Sequence, residues 1–172
     1  DHGITDEKVT PFPREVTVQM VLNMLSGGAA VTVMCVNSGV ECSVVNMGVD
    51  GVFDPHPRLI ERSIGRGTRN FHSEAAMSDA ECCKAIDAGY WLGIETDADI
   101  CAIGEIGIGN SSSASALYSM LLGTDAVLTV GKGTGADGAL LERKRRVIAE
   151  SLSIHFGQWD GTPFDAIRRV GG

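Results

Sequence analysis

Apolar residues recur along this chain in short blocks, and most blocks run into a glycine. Residues 1–12 read as a loop. Pro13 suits the first position of a helix, and the broad apolar face of residues 14–25 predicts one, ended by Gly27. Residues 28–38 carry enough β-branched side chains for a strand, yet Gly39 suits a helix end and an α/β alternation needs a helix here. Residues 41–47 predict a strand, and residues 48–74 a long irregular segment. Ser78 and Glu81 have the spacing of a capping box, opening a helix to about Glu95. Further on, the pattern predicts a short buried strand over 99–104, a helix over 110–122 closed by Gly123, and a strand over 126–130. A charged helix over 139–154 follows. Thr162 and Asp165 cap a last short helix that stops at Gly171. This alternation predicts an α/β fold, a three-layer parallel sheet with helices on both faces, in one domain spanning 1–172.

Composition narrows the class. A chain of 172 residues with 44% hydrophobic and 21% charged residues has the make-up of one globular domain. Its formal charge of −8 argues against nucleic acid or an anionic membrane as partner. Any phosphate must therefore be held by local groups. Cys35, Cys42, Cys82, Cys83 and Cys101 have neither zinc spacing nor a redox C-x-x-C. No apolar run is expected to reach the roughly 18 residues of a membrane span. A cytoplasmic protein is expected. Asp1, His2 and Gly3 resemble a loop leaving a strand that is not there, so a fragment is expected too.

Two glycine loops carry the candidate chemistry. Each follows a short apolar run and precedes a helix, the ligand edge of a parallel α/β sheet; residues 1–3 could add a third loop. In the first loop, Gly104, Gly107 and Gly109 let backbone approach a ligand closely. Asn110 is a fitting N-cap, and Ser111, Ser112 and Ser113 add donors. A helix start with unpaired N–H groups and partial positive charge suits a phosphate. Glu105 would repel that phosphate, which points to work on another part of the same ligand; equally, it could accept backbone N–H groups in the bend. The second loop, residues 131–138, lacks both the Walker ending and the dinucleotide spacing. Lys144, in the basic run 143–146, could reach back to a phosphate or face solvent. Arg69 and Asn70 could contact a ligand or water. The scattered histidines make no metal site, although His2 sits beside Asp1 where either could meet a ligand.

Taken in order, residues 1–4, 13–20, 65–70, 104–112, 131–135 and 143–144 resemble the nicotinate-nucleotide:dimethylbenzimidazole phosphoribosyltransferase family. The resemblance implies a Rossmann-like large domain, with the family's small helical domain absent here. It implies transfer of phosphoribose from nicotinate mononucleotide to a benzimidazole-type base, with no cofactor, by a homodimer. It assigns Glu105 to the active-site glutamate beside base and ribose. Gly107, Gly109, Asn110, Ser111 and Ser112 match the nucleotide-binding helix start, and Gly133, Thr134 and Gly135 the second loop. Lys144 matches the phosphate-side lysine. Phe12 and Met20 fall near positions that line the benzimidazole pocket, and Asp1 and His2 are counted with the expected substrate-binding residues. Family chains are about twice this long, and their principal general base lies far toward the C-terminus, without a counterpart here. A non-catalytic nucleotide-binding module is therefore the competing expectation.

Overall fold

The computed structural model describes residues 1–172. A 3₁₀ turn, Gly3–Glu7, opens the chain and buries Ile4. Helices α1 (Val16–Leu25) and α2 (Ala30–Ser38) follow. Strands β1 (Val44–Asn46) and β2 (Leu59–Glu61) pair in parallel, Val44 opposite Leu59. An isolated parallel bridge joins His2 to Thr68. The remaining elements are helices: α3 (Asp79–Glu95), α4 (Asn110–Leu122), α5 (Ala126–Thr129), α6 (Gly138–Phe156) and α7 (Pro163–Val170). The α/β class and its parallel pairing hold, with the pairing confined to short segments.

Most of the expected elements form for the expected reasons. Ser78 Oγ accepts the Glu81 N–H while Glu81 returns to the Ser78 N–H, which completes the capping box on α3. Those bonds from Ser78 hold the Glu81 carboxyl at a pKa of about 2. Thr162 accepts the Asp165 N–H and Pro163 occupies the first turn of α7. Residues 30–38 are helix, as the alternation required. Val16–Ser38 does contain an apolar window of membrane-spanning length, contrary to the expectation from the runs. The break between α1 and α2 divides it into helices of 10 and 9 residues, each roughly 15 Å long and about half of a bilayer core.

Two expected strands are absent. Within residues 126–130, Ala126–Thr129 form α5, because the Asp125 side chain caps the Val127 N–H at 2.7 Å. Hydroxyls then dock α5 on α4: Ser115 Oγ donates to the Thr129 carbonyl, and Ser119 Oγ pairs with Thr129 Oγ1. Residues 99–104 enter no ladder and are exposed rather than buried. Conversely, β2 arises inside the segment expected to be irregular.

The main core lies between α4, α6 and α7 and the opening turn. Ile4, Phe71, Ala116, Met120, Ile148, Ala166 and Val170 are its sealed members. Burial of each large side chain contributes roughly 1.5–3 kcal/mol. Serines let α4 pack closely: Ser112, Ser113, Ser115 and Ser119 are all buried, and Ser113 Oγ donates to the Val170 carbonyl at 2.6 Å. His155 on α6 donates to the Phe71 carbonyl at 2.7 Å. Burial pushes its pKa down, so it stays neutral. A smaller cluster of Val21, Leu25, Val44 and Val49 joins α1 to β1. Together these contacts fix the start of α4 against α6 and residues 1–11, where a cleft opens.

Candidate functional site

The cleft has a volume of about 230 Å³ and lies where three segments meet. The first turn of α4 and its leading bend supply Glu105, Gly107, Gly109, Asn110, Ser111 and Ser112. The second glycine loop supplies Lys132, Gly133, Thr134 and Ala136, and α6 supplies Lys144. Val9, Thr10 and Pro11 close the remaining side.

The helix start is arranged differently from the expected cap. Gly109, not Asn110, is the N-cap, with φ of 103°. A side chain there would be strained, and its Cβ would come within 3.0 Å of His2 Cβ. The Gly109 carbonyl takes the N–H groups of Ser112 and Ser113, at 2.9 and 3.2 Å, and the Asn110 N–H reaches Gly107 at 3.3 Å. That leaves the amides of Gly109 and Ser111 without an acceptor in the chain. The amides of Gly133 and Thr134 are also free. Uncommitted N–H groups of the helix start and of the second loop therefore border one cleft, a concentration of donors suited to an anion.

Lys144 is the strongest single signal. Its side chain is only 2% exposed, and Nζ donates to Ser111 Oγ at 2.8 Å and to the Gly131 carbonyl at 3.3 Å. No carboxylate pairs with it. Burial alone holds its pKa below the usual lysine range. A buried ammonium without an anion is costly unless something else supplies one. Gly133 makes this approach possible. At φ of 55° it passes so close that a Cβ would sit 2.5 Å from Ser111 Oγ and 3.2 Å from Lys144 Nζ. Glu105 stands on the same cleft, exposed and without an ion pair or hydrogen bond.

Other expected site residues fall outside the cleft. His2 is buried, with Nε2 2.5 Å from Asn110 Oδ1, and does not face the cavity. Burial brings its pKa down to about 4. Asp1 Oδ2 accepts the Asp50 N–H at 2.5 Å, which ties the start of the chain to the loop after β1. Gly135 donates its N–H to the Lys132 carbonyl within the loop. Phe12 is 45% exposed beside the cleft rather than in it, and Met20 is half-buried on α1. Arg69 is committed to Glu81 at 2.9 Å and Asn70 to Glu7 at 2.7 Å. Lys132 and residues 9–11 line the cleft without having been singled out. For Lys132 the signal was present, a cation inside a glycine loop; residues 9–11 gave none.

The phosphoribosyltransferase family model DBI_PRT matches residues 1–172. The chain belongs to this family. Among curated relatives, the nicotinate-nucleotide–dimethylbenzimidazole phosphoribosyltransferase of Citrifermentans bemidjiense is 42% identical over 175 residues, covering 100% of this chain and 50% of the relative. Its namesake in Roseiflexus sp. (strain RS-1) is 39% identical, covering 100% and 49%. The crystal structure of CobT from Thermus thermophilus superposes with a TM-score of 0.90 at 36% identity, covering 100% of this chain and 52% of that one. The chain thus spans about half the length of the curated relatives it matches. The fold and family membership apply to every residue in the cleft.

Proposed function

We propose that this chain supplies the nucleotide cradle of a nicotinate-nucleotide:dimethylbenzimidazole phosphoribosyltransferase. The enzyme moves phosphoribose from nicotinate mononucleotide to a ring nitrogen of 5,6-dimethylbenzimidazole or a related base. The observation that carries this reading is Lys144, a buried cation without a counter-ion, set among free amides and opposite a free carboxylate. The 5′-phosphate would take the amides of Ser111, Gly133 and Thr134 and lie against Lys144. Glu105 would then face the ribose. As the bond from C1′ to nicotinate breaks, positive charge builds on the sugar, and a fixed carboxylate stabilises it. The acceptor nitrogen attacks C1′ from the opposite side, so the anomeric carbon inverts. That nitrogen loses its proton to a base, and nicotinate leaves with the bonding electron pair.

One observation favours a second reading, a nucleotide-binding module without turnover. Glu105 is the only carboxylate on the cleft, whose other charged residues are Lys132 and Lys144. A single acid near the sugar cannot also serve as a distant base. A single-turnover assay with nicotinate mononucleotide and dimethylbenzimidazole separates the two readings. Run on this chain and on the complete gene product, it is expected to give α-ribazole 5′-phosphate from the latter. Binding without product in both would leave the module reading. Homodimeric assembly and a cytoplasmic setting belong to the same proposal; five unpaired thiols support a reducing compartment.

A further inference from the structure

His2 lies behind the cleft, yet it touches Asn110, whose side-chain amide can turn either a donor or an acceptor toward a ligand. Asn110 lines the cleft, and its Oδ1 lies 2.5 Å from His2 Nε2. The other end of the same amide, Nδ2, makes no hydrogen bond within the chain. An asparagine in this place has two nearly isosteric settings. With oxygen toward His2, Nδ2 is left free on a residue that lines the cleft; with the amide reversed, a carbonyl oxygen would be left there and would repel an anion. The imidazole decides between them by the position of its proton.

We propose that His2 is a positioning residue that holds the Asn110 amide with its NH₂ toward the bound anion. Three observations support this. His2 is 4% exposed, so water does not compete for Nε2. His2 Nδ1 is buried and has no partner. A buried N–H left unpaired is rarer in proteins than an under-used acceptor, so the proton belongs on Nε2, where Asn110 Oδ1 accepts it. The backbone also holds the ring in place: the His2 carbonyl accepts Thr5 Oγ1 at 2.8 Å, and His2 bridges to Thr68. The neutral Nε2–H form is thereby fixed, and the amide setting with it.

This inference rests on the cleft being a nucleotide site, and two measurements keep the two ideas apart. The first needs no ligand. Nitrogen-15 spectra of the imidazole in wild-type protein are expected to show the proton on Nε2; a proton on Nδ1 would overturn the positioning role. The second uses nicotinate mononucleotide as probe. In His2→Gln the side-chain amide can reach the place of Nε2, whereas in His2→Asn it reaches only the place of Nδ1. His2→Gln is expected to bind within about twofold of wild type and His2→Asn about tenfold more weakly, the size of one hydrogen bond to a charged group. Equal affinity in all three proteins would overturn the proposal. Failure of wild type itself to bind the probe would overturn the nucleotide reading, while the tautomer measurement would still decide the role of His2.

Discussion

The cleft on one side, and α2, the second half of α3 and residues 96–106 on the other, end in opposite states of burial. At the cleft and just behind it, polar residues are buried: Lys144 and Ser112 on its lining and His2 behind it are all nearly sealed from solvent. In the other segments, apolar groups are bare. Ile100 is 89% exposed and Ile103 96%, and Met34, Val36, Tyr90 and Trp91 are also open. The backbone of residues 97–106 donates no backbone hydrogen bond. Burial therefore follows the presence of a partner surface, not hydropathy alone. The cleft is lined by residues between Val9 and Lys144, whereas bare apolar side chains of this kind mark an interaction face or an aggregation liability.

The contrast can be tested most strongly at Glu105. In the complete enzyme, Glu105→Gln is expected to lower the single-turnover rate by about 100-fold or more, the scale of losing one electrostatic stabiliser. Nucleotide affinity measured by calorimetry should stay near wild type. Equal turnover would remove Glu105 from the chemistry.

Lys144→Met should separate function from stability. It is expected to weaken nucleotide binding by about 1.5–3 kcal/mol, read by titration calorimetry. The melting temperature should hold or rise, because an apolar side chain replaces an unpaired buried charge. A large drop in melting temperature with unchanged affinity would make the lysine structural. Gly133→Ala should cost about 1–3 kcal/mol in denaturant unfolding, through its left-handed backbone and the contact with Ser111.

His2 gives a dependence on acidity. Its folded pKa, about 4, lies below the ordinary 6.5, so the unfolded chain takes up the proton first. Stability from this group is complete above about pH 6.5 and is lost as pH falls toward 4. Unfolding midpoints across that range should show the loss in wild type and a weaker one in His2→Gln. The smallest effect belongs to residues 96–106. Ile103→Lys should change unfolding free energy by no more than about 0.5 kcal/mol, while it reduces light scattering by this chain at high concentration.

Much of this contrast was legible in the residues. Capping pairs such as Ser78 with Glu81 act within one turn, so their helices followed from sequence. Gly107, Gly109, Ser111 and Gly133 line the cleft because glycine spacing encodes close backbone approach directly, whereas Lys144, one of four cations in the run 143–146, was singled out from its neighbours by the family resemblance. Residues 99–104 and 126–130 were misread because an apolar run does not specify its neighbour. The first has no strand beside it, and in the second Asp125 and the serines of α4 impose a helical turn. Val9, Thr10 and Pro11 reach the cleft through the fold of the opening turn, which no local pattern announces. His2 was noticed as a ligand contact; its bond to Asn110 spans 108 positions and depends on tertiary structure.

The lone ammonium of Lys144 has a thermodynamic corollary. Whatever anion neutralises it binds the native chain and not the denatured one, so occupancy and folding are linked by mass action. The same anion raises the proton affinity of the amine and keeps it charged to higher pH. Inorganic phosphate or sulfate should therefore act as a counter-ion for folding, displacing the melting curve upward in proportion to the logarithm of its concentration, well before any sugar or base is recognised.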